Sequence, residues 1–212
     1  MYLTNEWYYF TDAVDKETCN KITRIPKDTG RKWEVSSVDT QEGTSKEERL
    51  TGRKGDFKTE STIRTSDVCW VSEQWVYDII FPLLKEANEK AGWQYHIKAA
   101  EPMQLTRYHK GGFYNLHRDG MGDHLSAYQN PKNAYVHGYV RKLSMSVMLN
   151  DNFDGGAFEF ASYSKEKCII TPIEAQAGSV LVFPSGMEHR VAPVTKGLRY
   201  SLVVWFLGPP FV

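Results

Sequence analysis

From Trp93 to Leu207 the chain reads as one short strand after another, and this rhythm limits its fold more than any other feature. Candidate strands lie at 93–99, 103–108, 113–117, 142–149, 157–160, 168–172, 179–183, 190–193 and 199–207. The stretch 150–156, ending in Gly155 and Gly156, and the run Thr195, Lys196 and Gly197 supply turns between them. Strands this short and this numerous share a core most simply as two facing sheets. The expected architecture is mainly β with supporting α: a double-stranded β-helix, or jelly roll, that encloses a pocket, with N-terminal helices packed on one sheet.

The first part of the chain must supply those helices. Residues 6–10 resemble a short strand, and Thr11 or Asp12 is placed to cap a helix running through Glu17 to about Arg24. Residues 62–71 read as a strand. A second helix begins near Ser72, with Trp75, Ile79, Leu83 and Ala87 on its apolar face and Gly92 as its stop. Pro82 removes a backbone donor within it, so a kink or break is expected there. The intervening stretch 27–60 is polar, charged and interrupted by Gly30, Gly43, Gly52 and Gly55, which predicts a long loop. A surface excursion is the commoner use of such a segment, and a substrate lid is the alternative. The whole, 1–212, is expected to form a single domain, with 1–92 as support and 93–212 as the jelly-roll core.

Lys plus Arg number 26, as do Asp plus Glu, so no net field draws nucleic acid or an acidic membrane, and nucleic acid is not an expected partner. Cys19, Cys69 and Cys168 are far apart, odd in number and form no CxxC, which fits a reducing cytoplasm. Residues 1–6 lack the basic start and apolar core of a signal peptide, and no apolar run approaches membrane-spanning length.

Against this background a few polar residues stand out. His117 and Asp119 sit two apart at the end of a candidate strand, which places both on one side while Arg118 points away. His189 comes from a much later strand, and Arg199 and Ser201 share one side of the last. Two imidazoles and one carboxylate bind one face of iron(II) and leave the remaining positions open, whereas closed structural zinc sites take four Cys or His ligands. Arg199 can hold a carboxylate bidentately, and the hydroxyls of Ser201 and Tyr108 can add donors. That set suits a dicarboxylate whose other end chelates the metal.

Tyr108, Gly111, Tyr114, the pair His117 and Asp119, Gly155 and Gly156, His189, Arg199, Ser201 and Trp205 together resemble the pattern of the iron(II)/2-oxoglutarate-dependent dioxygenases of the prolyl 4-hydroxylase-like group. The stretch 64–70 also resembles the strand before the support helix in bacterial and phage members. The resemblance covers roughly 60–207 and is most specific over 103–119 and 178–207. It implies iron(II) held by His117, Asp119 and His189, with 2-oxoglutarate and O₂ as co-substrates. It implies Arg199 on the distal carboxylate of 2-oxoglutarate, assisted by Ser201 and Tyr108, and ascorbate as a reductant. The implied reaction couples decarboxylation of 2-oxoglutarate to C–H hydroxylation, of a prolyl residue in a peptide or protein, a free amino acid or another small molecule. Tyr114, Arg64, Met148 and Trp205 are expected beside the substrate or as supports of the site, and no catalytic side chain is expected beyond the metal ligands. In one departure, Met148 stands where some members carry a tyrosine, with Ser144 and Ser146 on the same side of the strand.

Each residue also has a plainer use. Singly, His117 is a strand histidine, Asp119 a turn residue before Gly120 and His189 a loop residue; only their combination with Arg199 defines a metal site. Trp205 belongs more often to a core than to a pocket, a structural salt bridge suits Arg64 equally, and Gly155 and Gly156 suit a turn. His96, His109, His124 and His137 have no matching partners and are expected at the surface or in outer positions. The segment 120–138, with Met121, His124, Tyr128 and Tyr135, is either a substrate-contacting loop or an ordinary hairpin connection. Two rival functions are a noncatalytic jelly-roll module that keeps a metal for structure and a cupin-like metal enzyme that uses no 2-oxo acid. Binding of 2-oxoglutarate separates the first reading from both.

Overall fold

Apolar and polar residues alternate along the strands, and in the computed structural model this sorts them into two facing sheets. The structure describes residues 6–36, 63–120, 127–129, 131–165 and 167–211. The larger sheet contains β1 (Tyr8–Phe10), β2 (Glu34–Val35), β4 (Asp67–Val71), β5 (Ala99–Ala100), β6 (Met103–Tyr108), β8 (Val140–Met148), β12 (Val180–Pro184) and β15 (Arg199–Gly208). Its order is β1-β12-β8-β15-β6-β4-β2, with β5 pairing with β15. The smaller sheet joins β11 (Lys167–Ile173), β10 (Phe158–Ser164), β13 (His189–Val191), β7 (Phe113–His117) and β3 (Arg64–Thr65) in that order. A two-stranded ribbon pairs β9 (Phe153–Gly155) with β14 (Val194–Gly197). Long connections cross between the sheets, and every strand pair is antiparallel. This is the expected jelly roll.

The larger sheet has two working faces. Leu143, Met145 and Val147 of β8 join Leu202, Val204 and Phe206 of β15 and Met103 and Leu105 of β6 in one core. Against them pack Cys19, Ile22 and Ile25 of α1 (Lys16–Thr29) and Val76, Ile80, Leu84 and Ala87 of α2 (Gln74–Lys90). Each fully buried aliphatic side chain there contributes about 1.5–3 kcal/mol by leaving water. The alternate residues of the same strands, among them Tyr108, Met148, Leu181 and Phe183, meet Phe158, Phe160 and Val191 of the smaller sheet in a second cluster. Among the described residues no helix is long and apolar enough to cross a membrane.

Several expectations need correction. The first helix starts at Lys16 and ends at Thr29: Asp15, not Thr11 or Asp12, caps it by accepting from the Thr18 N–H at 2.8 Å, and Gly30 closes it in the left-handed region. It therefore takes in the first residues of the expected 27–60 loop, and β2 falls within that loop; residues 37–60 lie outside the described residues. The second helix runs unbroken through Pro82, and its buried face is Val76, Ile80, Leu84 and Ala87 rather than Trp75, Ile79 and Leu83. Trp75 is 39% exposed, while Ile79 and Leu83 pack at the margin of the core. The stretch 62–71 is two strands, because β3 joins one sheet and β4 the other. Of 93–99 only Ala99 lies in a strand; Asn88 holds the Tyr95 backbone N–H and C=O, each at 2.9 Å. The turns at 150–156 and 195–197 contain β9 and β14, which were not expected as strands.

Gly178 ties α1 to the sheet, exchanging backbone bonds with Val14 (N–H to Gly178 O, 3.0 Å) and Met148 (O from Gly178 N, 2.8 Å). Its φ is +88°, and an added Cβ would lie 2.1 Å from the Val14 carbonyl oxygen, which is backbone and cannot swing aside. Gly178→Ala is expected to lower unfolding stability by at least about 2 kcal/mol, read by chemical denaturation. A loss near zero would mean that this tie is not maintained in solution.

Candidate metal centre

His117 ends β7 and His189 begins β13, and the two residues are direct partners across that strand pair. The ladder shifts register between this pair and Val191–Tyr114, so β7 carries one extra residue. The bulge has a consequence for side chains. Tyr114 and His117, three apart, would face opposite ways in a regular strand; here their rings stack at 3.5 Å. The His117 Nδ1 bonds the Asn115 carbonyl inside the bulge at 2.8 Å, and the His189 Nδ1 bonds the Met187 carbonyl at 2.8 Å. With both Nδ1 atoms turned to backbone oxygens, both Nε2 atoms face Asp119.

Asp119 stands just beyond β7, held by its own backbone N–H on the Ser185 carbonyl at 2.9 Å. Its Oδ1 is 3.8 Å from His117 Nε2 and its Oδ2 3.7 Å from His189 Nε2. Donor atoms of the three residues all lie within 4.8 Å of one another. The Ser144 hydroxyl of β8 donates to Asp119 Oδ2 at 2.7 Å and lies 2.9 Å from the Ser185 hydroxyl. Arg118, as expected, points away, toward Glu188 at 3.6 Å.

The electrostatics suit a cation. Burial, then the neighbouring His189, push the His117 imidazole down to about 3 against the pull of Asp119. It is therefore neutral at pH 7, with a lone pair free. Burial alone would raise the Asp119 carboxyl, but His189, His117, Arg141 and the Ser144 hydroxyl outweigh it and leave the group below its ordinary value. Two imidazoles and one carboxylate on one side of a point make an open three-donor set, and no fourth His, Cys, Asp or Glu joins it among the described residues. These donors fit iron(II). Ser144→Ala, which removes the hydroxyl that fixes Asp119, is expected to weaken metal affinity about 10- to 100-fold by anaerobic titration. Unchanged affinity would make Ser144 a bystander.

A small cavity of about 30 Å³ opens over these donors, lined by Tyr108, Tyr114, Phe158, Phe183, Val191 and Ser201 among others. Arg64, Gln104 and Trp205 also line it. Of the two uses open to Arg64, the structure shows hydrogen bonds at the site: its Nε donates to Ser66 Oγ at 2.8 Å and its Nη2 to Gln104 Oε1 at 2.9 Å, with Tyr114 beneath the guanidinium at 4.6 Å. Burial, opposed by Arg64, pushes the Tyr114 phenol up to about 12, so it stays neutral. Trp205 lines the pocket rather than the core, with Arg141 over its ring at 4.0 Å.

Arg199 is 1% exposed. Its Nη1 donates to Ser201 Oγ at 3.1 Å and its Nη2 reaches the Met148 sulfur at 3.1 Å, while its Nε has no partner. The ring of Tyr108 lies 5.3 Å away. Burial pulls the guanidinium below its ordinary value, with Tyr108 opposing, yet an arginine so placed stays charged. A buried cation with no carboxylate beside it, among the described residues, is a costly arrangement that an anionic ligand would complete. This fits the distal carboxylate of 2-oxoglutarate.

Sequence reasoning missed Ser144 and Ser185 as the clamp on Asp119, although the alternation of β8 places Ser144 on the inner face. It also missed Phe158, stacked on His189 at 5.3 Å, and the bidentate pair of Arg141 with Glu101, at 2.6 and 2.7 Å, which Tyr128 joins at 2.7 Å. Of 120–138, residues 121–126, with Met121 and His124, and Asn130 lie outside the described residues, and the described remainder does not line the metal cavity. His109 is exposed beside Asp67 at 3.2 Å, and neither it, His96 nor His137 lies at the centre.

A jelly roll with an open His-Asp-His set and a lone buried arginine defines a class of metal-dependent oxygenase scaffold. Comparison with known proteins agrees: residues 103–207 match the 2OG-Fe(II) oxygenase superfamily. The chain belongs to that superfamily. A PKHD-type hydroxylase of Thermosynechococcus vestitus is 32% identical over 114 residues, covering 51% of this chain and 43% of the relative. The chain thus spans about half the length of the curated relatives it matches. Among solved structures, a prolyl-4-hydroxylase of Pseudomonas putida superimposes with a TM-score of 0.61 at 19% identity, covering 96% of this chain and 92% of the other. A prolyl hydroxylase of Trichoplax adhaerens, in complex with a hypoxia inducible factor peptide fragment, gives 0.64 at 16% identity, covering 96% and 84%. At such identities these two speak for the fold.

Proposed function

We propose that this chain is an iron(II)- and 2-oxoglutarate-dependent hydroxylase acting on a C–H bond of a prolyl residue in a peptide or protein. The observation that carries this is the joint presence of the three-donor set and the carboxylate-free Arg199 in one barrel. When bound, iron(II), 2-oxoglutarate and O₂ supply oxidative decarboxylation to succinate and CO₂, with insertion of one oxygen atom into the substrate bond. The chain's own residues place the reactants. His117, Asp119 and His189 hold the metal from one side, Arg199 with Ser201 and Tyr108 holds the distal carboxylate, and Phe158, Phe183 and Val191 keep water from the space between. Arg64, Gln104, Tyr114 and Trp205, at the same cavity, orient the substrate.

The prolyl reading draws on the relatives, which are called PKHD-type hydroxylases, and on the peptide in the Trichoplax complex. Ascorbate would keep the iron ferrous, and the three free thiols fit a reducing cytoplasm. The test is to incubate the iron-loaded protein with 2-oxoglutarate and a pool of proline-containing peptides. Iron-dependent succinate release should match a gain of one oxygen atom on a peptide. Well-folded, iron-loaded protein that never binds 2-oxoglutarate would instead favour the metal-binding module or the cupin-like enzyme.

A further inference from the structure

The metal cavity reaches Tyr108 and Ser201, both beside Arg199, but the arginine itself lines a different space. That second cavity, of about 360 Å³, is walled by Arg199, Met148 and Phe158, by Gly156 and Ala157 after β9, and by the segment that follows β11. Phe158 belongs to both cavities. Beside Phe158, the partition between them is made of a flexible side chain and a missing one. Met148 is unbranched with three rotatable bonds, and its sulfur is a weak acceptor for Arg199 Nη2. Gly156 has no side chain where one would matter: a Cβ there would lie 3.0 Å from Arg199 Cδ.

We propose that this second cavity is the path by which 2-oxoglutarate enters and succinate leaves, separate from the metal cavity that Arg64, Gln104 and Trp205 line. The proposal rests on Arg199 being the carboxylate anchor. A dicarboxylate that must end with one carboxylate on Arg199 approaches most directly from the space that Arg199 already walls. The unpartnered Nε and the weakly held Nη2 attract it over short range, because no carboxylate neutralises them among the described residues. Asp151 and Glu174 at the rim oppose an anion, but both are exposed and solvent-screened, and Asp151 stands 3.9 Å from Lys16 Nζ. Such a path lets the co-substrate exchange while a bulky substrate fills the metal cavity.

Stopped-flow absorbance on anaerobic, iron(II)-loaded protein tests this, since chelation by 2-oxoglutarate gives a visible charge-transfer band. Ala175→Trp and Gln176→Trp put bulk at the second cavity without touching the metal cavity. Ala175 packs against the inner core, so Gln176, which is exposed, provides the variant safest for folding. Both association and dissociation of 2-oxoglutarate should slow by about tenfold with their ratio held, as expected when a passage narrows and the bound state does not change. An unaltered Kd then also certifies the fold. Wild-type rates in Gln176→Trp, or a change in dissociation alone, would overturn the path while leaving the anchor intact. Absence of the band in the wild-type protein would overturn the anchor and the path together.

Discussion

Replacing Arg199 with methionine is expected to weaken 2-oxoglutarate binding sharply while leaving the ligand-free fold as stable as before, or more so. The two effects have one cause. Arg199 is a fully buried cation whose guanidinium has, among the described residues, only a serine hydroxyl and a thioether as hydrogen-bond partners. Removing one member of a desolvated, hydrogen-bonded charge pair costs about 2–5 kcal/mol, a loss of roughly thirtyfold to several thousandfold in affinity. In the absence of ligand no pair exists to be broken, and a methionine of similar length relieves the burial of charge. Calorimetric titration of anaerobic, metal-loaded protein reads the first effect, and thermal unfolding without ligand reads the second. Unchanged affinity would remove the anchor from the proposed mechanism. A large loss of ligand-free stability would make Arg199 a structural residue instead.

Asp119→Ala should produce the other large effect, loss of metal together with loss of turnover. Asp119 is the only carboxylate among the three donors, so its removal leaves two imidazoles to hold a divalent ion. Its backbone bond to Ser185 does not depend on the side chain, so circular dichroism should match the wild type. His189→Ala should likewise lose turnover without unfolding. Metal content after anaerobic loading and succinate release are the measurements, and wild-type values in either variant would defeat the ligand assignment.

Much of the fold was legible because period two is a strong signal where one face is buried. Residues 103–108 and 113–117 were read with the bounds the structure has, and β15 differs by one residue. The helices were harder. The apolar residues of α2 occur on more than one side, so Trp75, Ile79, Leu83 and Ala87 make as good a stripe as Val76, Ile80, Leu84 and Ala87; packing against the sheet selects the second. Residues 62–71 look like one strand because nothing in their composition records that Arg64 pairs with Tyr114 while Val68 pairs with Thr106. At the centre, residue types and spacing pointed to His117, Asp119, His189 and Arg199. The groups that orient them did not stand out, since two are backbone carbonyls, of Asn115 and Met187, and one is an ordinary strand serine. The bulge that brings Tyr114 onto His117 is a property of pairing and leaves no mark on β7 alone.

The direct pairing of His117 with His189 ties the centre to the cohesion of the smaller sheet. Two of its three grips stand at the two ends of one rung, so the spacing between them cannot drift unless the strands part. Chelators should therefore strip the ion at a pace set by strand separation, and amide hydrogen exchange at β7 and β13 should report the same clock.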